Sequence, residues 1–423
     1  MKHKIRALLF ICIGIIVTAS PSTAAENPIL FWNNQVVNAT RLSRNPPPVA
    51  GIHFATFHIA LFDIANSFER KREGWLVNEK APDGANLEAA LAAAGHLILS
   101  QLWGNVANPR VIELAYQTAL SEVPEGESRD AGIAWGEEVA RRVLEKRSTA
   151  GLGLPSQGSY VSSEIGKWRE TPPGFRPPVT PRLGEVEPFA LESSKQFRAP
   201  PPLSHDSKEY AQEIAFVNKV GPRDGAERTE YQTLSTPFWA DDLGSATPPG
   251  HWNEICRTIV RGEGIDEDVY RTAYIFAMLN IAGADAGITA WETKYYYSTW
   301  RPETAIREIR EEDNPVALQN PDFIPNMPSP AFPSYTSGHS TYTAAMSRMI
   351  EHCVGRDDIS FSVNSDGLPG AVRHYEKLSD ARREVGMSRV WGGIHVMSDN
   401  IEGQKAGLAV ADWIFENTLQ KTK

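Results

Sequence analysis

Three short stretches in the last third of the chain carry side chains that could hold and activate a tetrahedral oxoanion. The central one is Ser334-Tyr335-Thr336-Ser337-Gly338-His339-Ser340; upstream lie Lys294 and Arg301, downstream Arg389, His395 and Asp399. A multiply charged oxyanion needs fixed positive charge, hydrogen-bond donors already in place, and exclusion of water. Lys294 and Arg301 are seven residues apart, the spacing of one helical face, and Pro302 disfavours helix at Arg301, so a helix is expected to end there. A helix starting at Gly338 would be capped by Ser337 and would aim its first amides at an anion. Arg389 and His395 are six apart, off-phase for one helix, and Gly392-Gly393 could turn the chain between them. Asp399, four residues beyond His395, is close enough to orient its ring. Each stretch alone is weak, since Ser-Gly-His recurs by chance and a cation beside Trp is commonly a surface residue stacked on a ring. The three in this order are much harder to obtain by accident.

Lys294, Arg301-Pro302, then Ser337-Gly338-His339, then Ser388-Arg389, His395 and Asp399 resemble the three-part signature of vanadium-dependent haloperoxidases and the acid phosphatases that share their fold. The resemblance implies a mainly α fold, two four-helix bundles, and a vanadate cofactor whose site phosphate could also occupy. It implies that Lys294, Arg301 and Arg389 pair with the oxoanion, helped by Ser337 and the Gly338 amide. It makes His395 the axial ligand of vanadium, or the nucleophile of a phosphatase, and His339 the acid-base group. Thr336 departs from the family, which usually has Pro there, but keeps the same backbone carbonyl. Trp291 and Phe332 resemble the chloroperoxidase branch, where aromatics wall the halide side; core packing is the plain alternative. The expected substrates are hydrogen peroxide and halide, with a secreted acid phosphatase acting on phosphate esters as the alternative. A non-catalytic phosphate binder would leave His339 and His395 without a purpose.

The elements that must position these groups follow in chain order. Lys2, Lys4 and Arg6, an apolar run over 7–17 and Thr23-Ala24-Ala25 form a signal peptide over residues 1–25, implying a periplasmic or secreted protein. Cleavage takes the net charge from −10 to −13, which disfavours nucleic acid and anionic membranes as partners. No later uninterrupted apolar run reaches spanning length, so no membrane anchor is expected. Of three cysteines, Cys12 lies in that leader, while Cys256 and Cys353 either pair or stay free.

Residues 26–423 read as one α-helical domain. An irregular arm is expected to end at Pro46-Pro47-Pro48, before a buried helix over 51–68 holding His53 and His58. Helices are expected over 87–103, 109–123 and 130–146. With no metal-ligand spacing, His53, His58 and His96 read as core histidines. The Pro/Gly-rich excursion at 151–203 is either packed over the bundle or a linker. Helical pattern resumes at 207–220, 252–260 and 267–299, the last breakable at Gly283 or Gly287; 351–375 looks irregular, and helices over 377–385 and 399–419 close the chain.

Overall fold

A computed structural model describes residues 26–157 and 159–422; the leader, with Cys12, lies outside them. Among the described residues are thirteen α-helices and one short hairpin. The first helix, α1 (Pro28–Ser43), replaces the expected irregular arm. Its start was legible: Asn27 accepts from the Ile29 amide, Pro28 stands in the first turn, and Ile29, Trp32, Val36 and Val37 bury one stripe. Next, α2 (Pro47–Glu69) begins on the prolines themselves, which lack only N–H groups that a first turn leaves unbonded anyway.

The helices α3 (Leu87–Trp103), α4 (Pro109–Leu120) and α5 (Glu127–Ser148) complete an N-terminal bundle in which α2, α3 and α5 pack together. After the excursion come α6 (Lys208–Val220), α7 (Glu230–Phe238), α8 (Thr247–Gly262) and the long α9 (Val269–Tyr297). The helix α7 was not expected, although the Thr229/Gln232 capping box that starts it is a signal the sequence carries. The rest is α10 (Pro302–Glu308), α11 (Gly338–Val354), α12 (Leu378–Trp391) and α13 (Met397–Asn417). Between α11 and α12, in the stretch read as irregular, β1 (Phe361–Asn364) pairs antiparallel with β2 (Val372–Tyr375), Phe361 opposite Tyr375.

A second group of helices, α9, α11 and α13, packs together with α8 and α12 alongside, and α9 also packs against α2. One apolar core runs continuously through both groups. Far from breaking at its glycines, α9 is uninterrupted. A Cβ at Gly287 would lie 2.1 Å from the Tyr342 hydroxyl of α11, so glycine serves close approach there. Gly407 of α13 does the same against the Thr341 carbonyl. By length and composition α2 and α9 could each cross a membrane, but polar residues such as Asp63 and Asp285 interrupt their apolar runs and both helices are enclosed by protein. Cys256 and Cys353 are free thiols.

The excursion is packed over the bundle. Asp285, fully buried in α9, accepts the amides of Phe189, Ala190 and Leu191 at 2.7, 2.8 and 3.0 Å. Farther back, the Trp168 amide donates to Ser298 O and the Trp300 amide to Gly166 O, tying the excursion to the turn after α9.

Candidate active site

Lys294 leaves the last turn of α9, but Arg301 does not share that helix. Ser298 takes a left-handed conformation (φ 52°) as the C-cap, and the chain turns through Thr299 and Trp300. Arg301 then sits extended (φ −81°, ψ 151°) as the N-cap of α10, with Pro302 in its first turn. The proline acts as expected on the residue before it, but the helix ends four residues earlier, at Tyr297. Ser337 is the N-cap of α11, which begins at Gly338, as the sequence indicated; its hydroxyl accepts the Ser340 amide at 3.3 Å. Arg389 lies in the last turn of α12, and Gly393, with φ 77°, reverses the chain towards His395 just before α13.

The folded chain brings these residues together. Trp291, Phe332, Gly338, His339, Arg389 and His395 line one narrow cavity, which Pro47 of α2 and Pro248 of α8 help to close. Lys294, Arg301 and Ser337 are buried beside it. The Trp291 and Phe332 rings lie 4.9 Å apart, with the Arg301 guanidinium 4.9 Å from the Phe332 ring.

His395 is held by Asp399, whose Oδ2 is 2.8 Å from Nδ1. The same Oδ2 accepts the hydroxyl of Ser334, a residue within the central motif whose role no spacing disclosed. Nδ1 therefore carries the proton and Nε2 the lone pair, which Arg301 Nη1 approaches at 3.2 Å. Burial, then Arg301, Lys294 and Arg389, push the His395 pKa well below the ordinary value, so the ring stays neutral. His339 is lowered in the same sense by burial, Arg389 and His395; its Nε2 donates to Ala240 O at 3.2 Å, leaving Nδ1 to accept.

Among the cations, Arg301 donates Nε to Phe332 O at 2.8 Å and Nη1 to Ile394 O at 3.0 Å; Arg389 donates Nη1 to Trp239 O at 2.9 Å. Arg301 Nη2 and Arg389 Nε are buried without a protein partner. Buried donors are normally bonded, so these two suit an oxyanion ligand. Lys294, expected to meet the oxoanion directly, instead donates to the carbonyls of Pro333, Ser334 and Thr336. Burial and Arg301 lower its pKa well below the ordinary lysine value, but three acceptors require three N–H groups, so the cradle is built for the ammonium form. Thr336 thus supplies the carbonyl expected of it. Among the described residues there is no cluster of three or more His, Cys, Asp or Glu that could hold a metal ion.

The chain is similar to several known proteins. Residues 274–423 match the family described as the VCPO second helical-bundle domain. The vanadium chloroperoxidase of Curvularia inaequalis is 26% identical over 484 aligned positions, covering 89% of this chain and 79% of that protein. This chain is thus similar to vanadium-dependent haloperoxidases. Among solved structures, the first bacterial vanadium-dependent iodoperoxidase superposes with a TM-score of 0.79 at 25% identity, covering 94% of this chain and 98% of that one. An apo-type bacterial vanadium-dependent chloroperoxidase follows at 0.70 and 16% identity, covering 88% and 94%, a likeness of fold alone. The matched segment contains all three stretches, with α9 from Tyr274 onward, α10, α11, α12 and α13.

The carbonyls of Trp239 and Ala240, which hold Arg389 and His339, escaped the sequence reading because backbone acceptors leave no mark on residue type. The nearest available signal was the acidic Asp241-Asp242 pair, whose charge favours the Arg389 cation.

Proposed function

We propose that this protein is an exported vanadate-dependent haloperoxidase that oxidises halide with hydrogen peroxide to hypohalous acid. The observation that carries the reading is the meeting, at one cavity, of the unpaired N–H groups of Arg301 and Arg389 with the proton-free nitrogen of His395. Bound vanadate would supply Lewis acidity towards peroxide at constant oxidation state. His395 Nε2 would be the protein ligand, oriented through Nδ1 by Asp399. Arg301, Arg389, Ser337 and the Gly338 amide would bind the oxoanion's oxygens. Lys294 adds positive charge while fixing the loop that carries Ser334 and Thr336.

His339, neutral and with Nδ1 open, would take a proton from peroxide as it binds and return one as water leaves. Trp291 and Phe332 give the cavity an apolar, aromatic side that suits a weakly hydrated halide. Export rests on the leader at residues 1–25.

An acid phosphatase would use the same atoms with His395 as nucleophile, so the test assays both reactions on one preparation. Vanadate-dependent halide oxidation that His339→Ala abolishes, with negligible ester hydrolysis, supports the haloperoxidase. Robust hydrolysis inhibited by vanadate, without halogenation, overturns it.

A further inference from the structure

Behind the Ser334–Asp399 pair lies a second and larger cavity, of about 340 Å3, that none of the proposed chemistry uses. It opens between the excursion and the turn that carries Arg301, and the backbone pairing of Gly166 and Trp168 with Trp300 and Ser298 fixes its walls. Aromatic rings form one part of its lining, beside aliphatic and polar residues such as Leu203, Val396 and Ser204. Tyr297 donates its hydroxyl to Ala199 O at 3.1 Å and Tyr335 to Pro200 O at 2.7 Å, so both rings are held in place and meet edge to face. Trp300 stacks on Tyr210, and His205 meets it edge-on at 6.1 Å. Lys167 supplies the cation: one N–H donates to Tyr297 O at 3.0 Å, and two remain for a ligand. Glu213, the nearby acid on α6, is engaged by the Ser398 hydroxyl at 2.6 Å.

We propose that this cavity is a binding site for a small planar aromatic carboxylate, the ring lying among Tyr297, Trp300 and Tyr335 and the carboxylate pairing with Lys167. Rings held by their own hydrogen bonds lose little entropy when a flat ligand enters, and a volume of this size accommodates a molecule of one or two rings. Ser334 and Asp399 form the floor, and Asp399 also holds His395, so an occupant touches the group that orients the proposed vanadium ligand. That coupling rests on the haloperoxidase reading; the binding itself does not.

Calorimetric titration of the full mature chain with benzoate, with and without vanadate, tests the proposal, using benzamide as the uncharged analogue. The expected result is saturable one-to-one benzoate binding with a dissociation constant of about 1 mM or tighter. Lys167→Ala should weaken it about tenfold or more, Leu203→Trp should block it by filling the cavity, and benzamide should bind worse than benzoate. Circular dichroism confirms that both variants fold. Failure of benzoate to bind the wild-type chain, or equal binding by wild type and both variants, overturns the proposal. Vanadate binding is measured on the same samples, so a negative benzoate result leaves the haloperoxidase reading standing.

Discussion

Two pairs of neutral histidines lie inside this fold, and only one of them lines the site cavity. His53 and His58 sit in α2; burial alone pushes their pKa values down to about 4 and about 3. Their neighbours are largely apolar or neutral: His53 lies edge-on to Trp103, and His58 meets Phe276 and Asn33. His395 is buried and His339 half-buried, and both are held neutral, but here neighbouring cations add to the cause: Arg389 and Lys294 at His339, and Arg301 as well at His395. The difference shows that burial keeps a histidine neutral without making it a site. Converging cations and unpaired N–H groups provide what an anion needs, and their charge is offset once it binds.

The largest effect that would sharpen this contrast is expected at His395. His395→Ala should lower halide oxidation at least about a thousandfold, measured as steady-state turnover at the vanadate concentration that saturates the wild-type chain, while the circular dichroism spectrum stays native. Asp285→Ala probes the anchor of the excursion. It leaves the amides of Phe189, Ala190 and Leu191 without their acceptor, and denaturant unfolding should show a loss of about 3 kcal/mol. An unchanged midpoint would contradict the role given to Asp285.

The α2 pair should be felt in stability as a function of pH. A histidine whose folded pKa is depressed binds its proton in the unfolded chain first. Stability is therefore complete above the unfolded value near 6.5 and falls as pH drops towards the folded values of about 4 and about 3. At pH 5 each contributes a loss of about 2 kcal/mol. Replacing His53 by Gln should flatten that part of the slope in thermal unfolding, without removing halide oxidation at pH 7. The smallest effect is expected at Ser334, where Ala removes one of the donors to Asp399: vanadate affinity should fall about tenfold, by titration, with turnover at saturation largely retained.

The candidate site was more legible than the framework around it. Lys294, Ser337, Gly338, His339, Arg389, His395 and Asp399 announce themselves by type and spacing, because covalent separation fixes which turns can bring them together. The cap at Ser337 and the reversal at Gly392-Gly393 were readable for the same reason. Arg301 was placed on the wrong element because a C-cap at Ser298 has no residue-type signal; left-handed serine is uncommon. Gly283 and Gly287 looked like breaks because sequence alone does not show Met346 and Tyr342 of α11 pressing against α9. The start of α1 could have been read from Asn27-Pro28 and its apolar stripe, whereas the carbonyls of Trp239 and Ala240 could not.

The most direct test of the account is calorimetric titration of orthovanadate into the wild-type chain and into His395→Ala at pH 7. One site per chain, with binding lost in the variant although it remains folded, is the predicted result. Undiminished vanadate binding by His395→Ala would contradict the assignment of that cavity as the cofactor site.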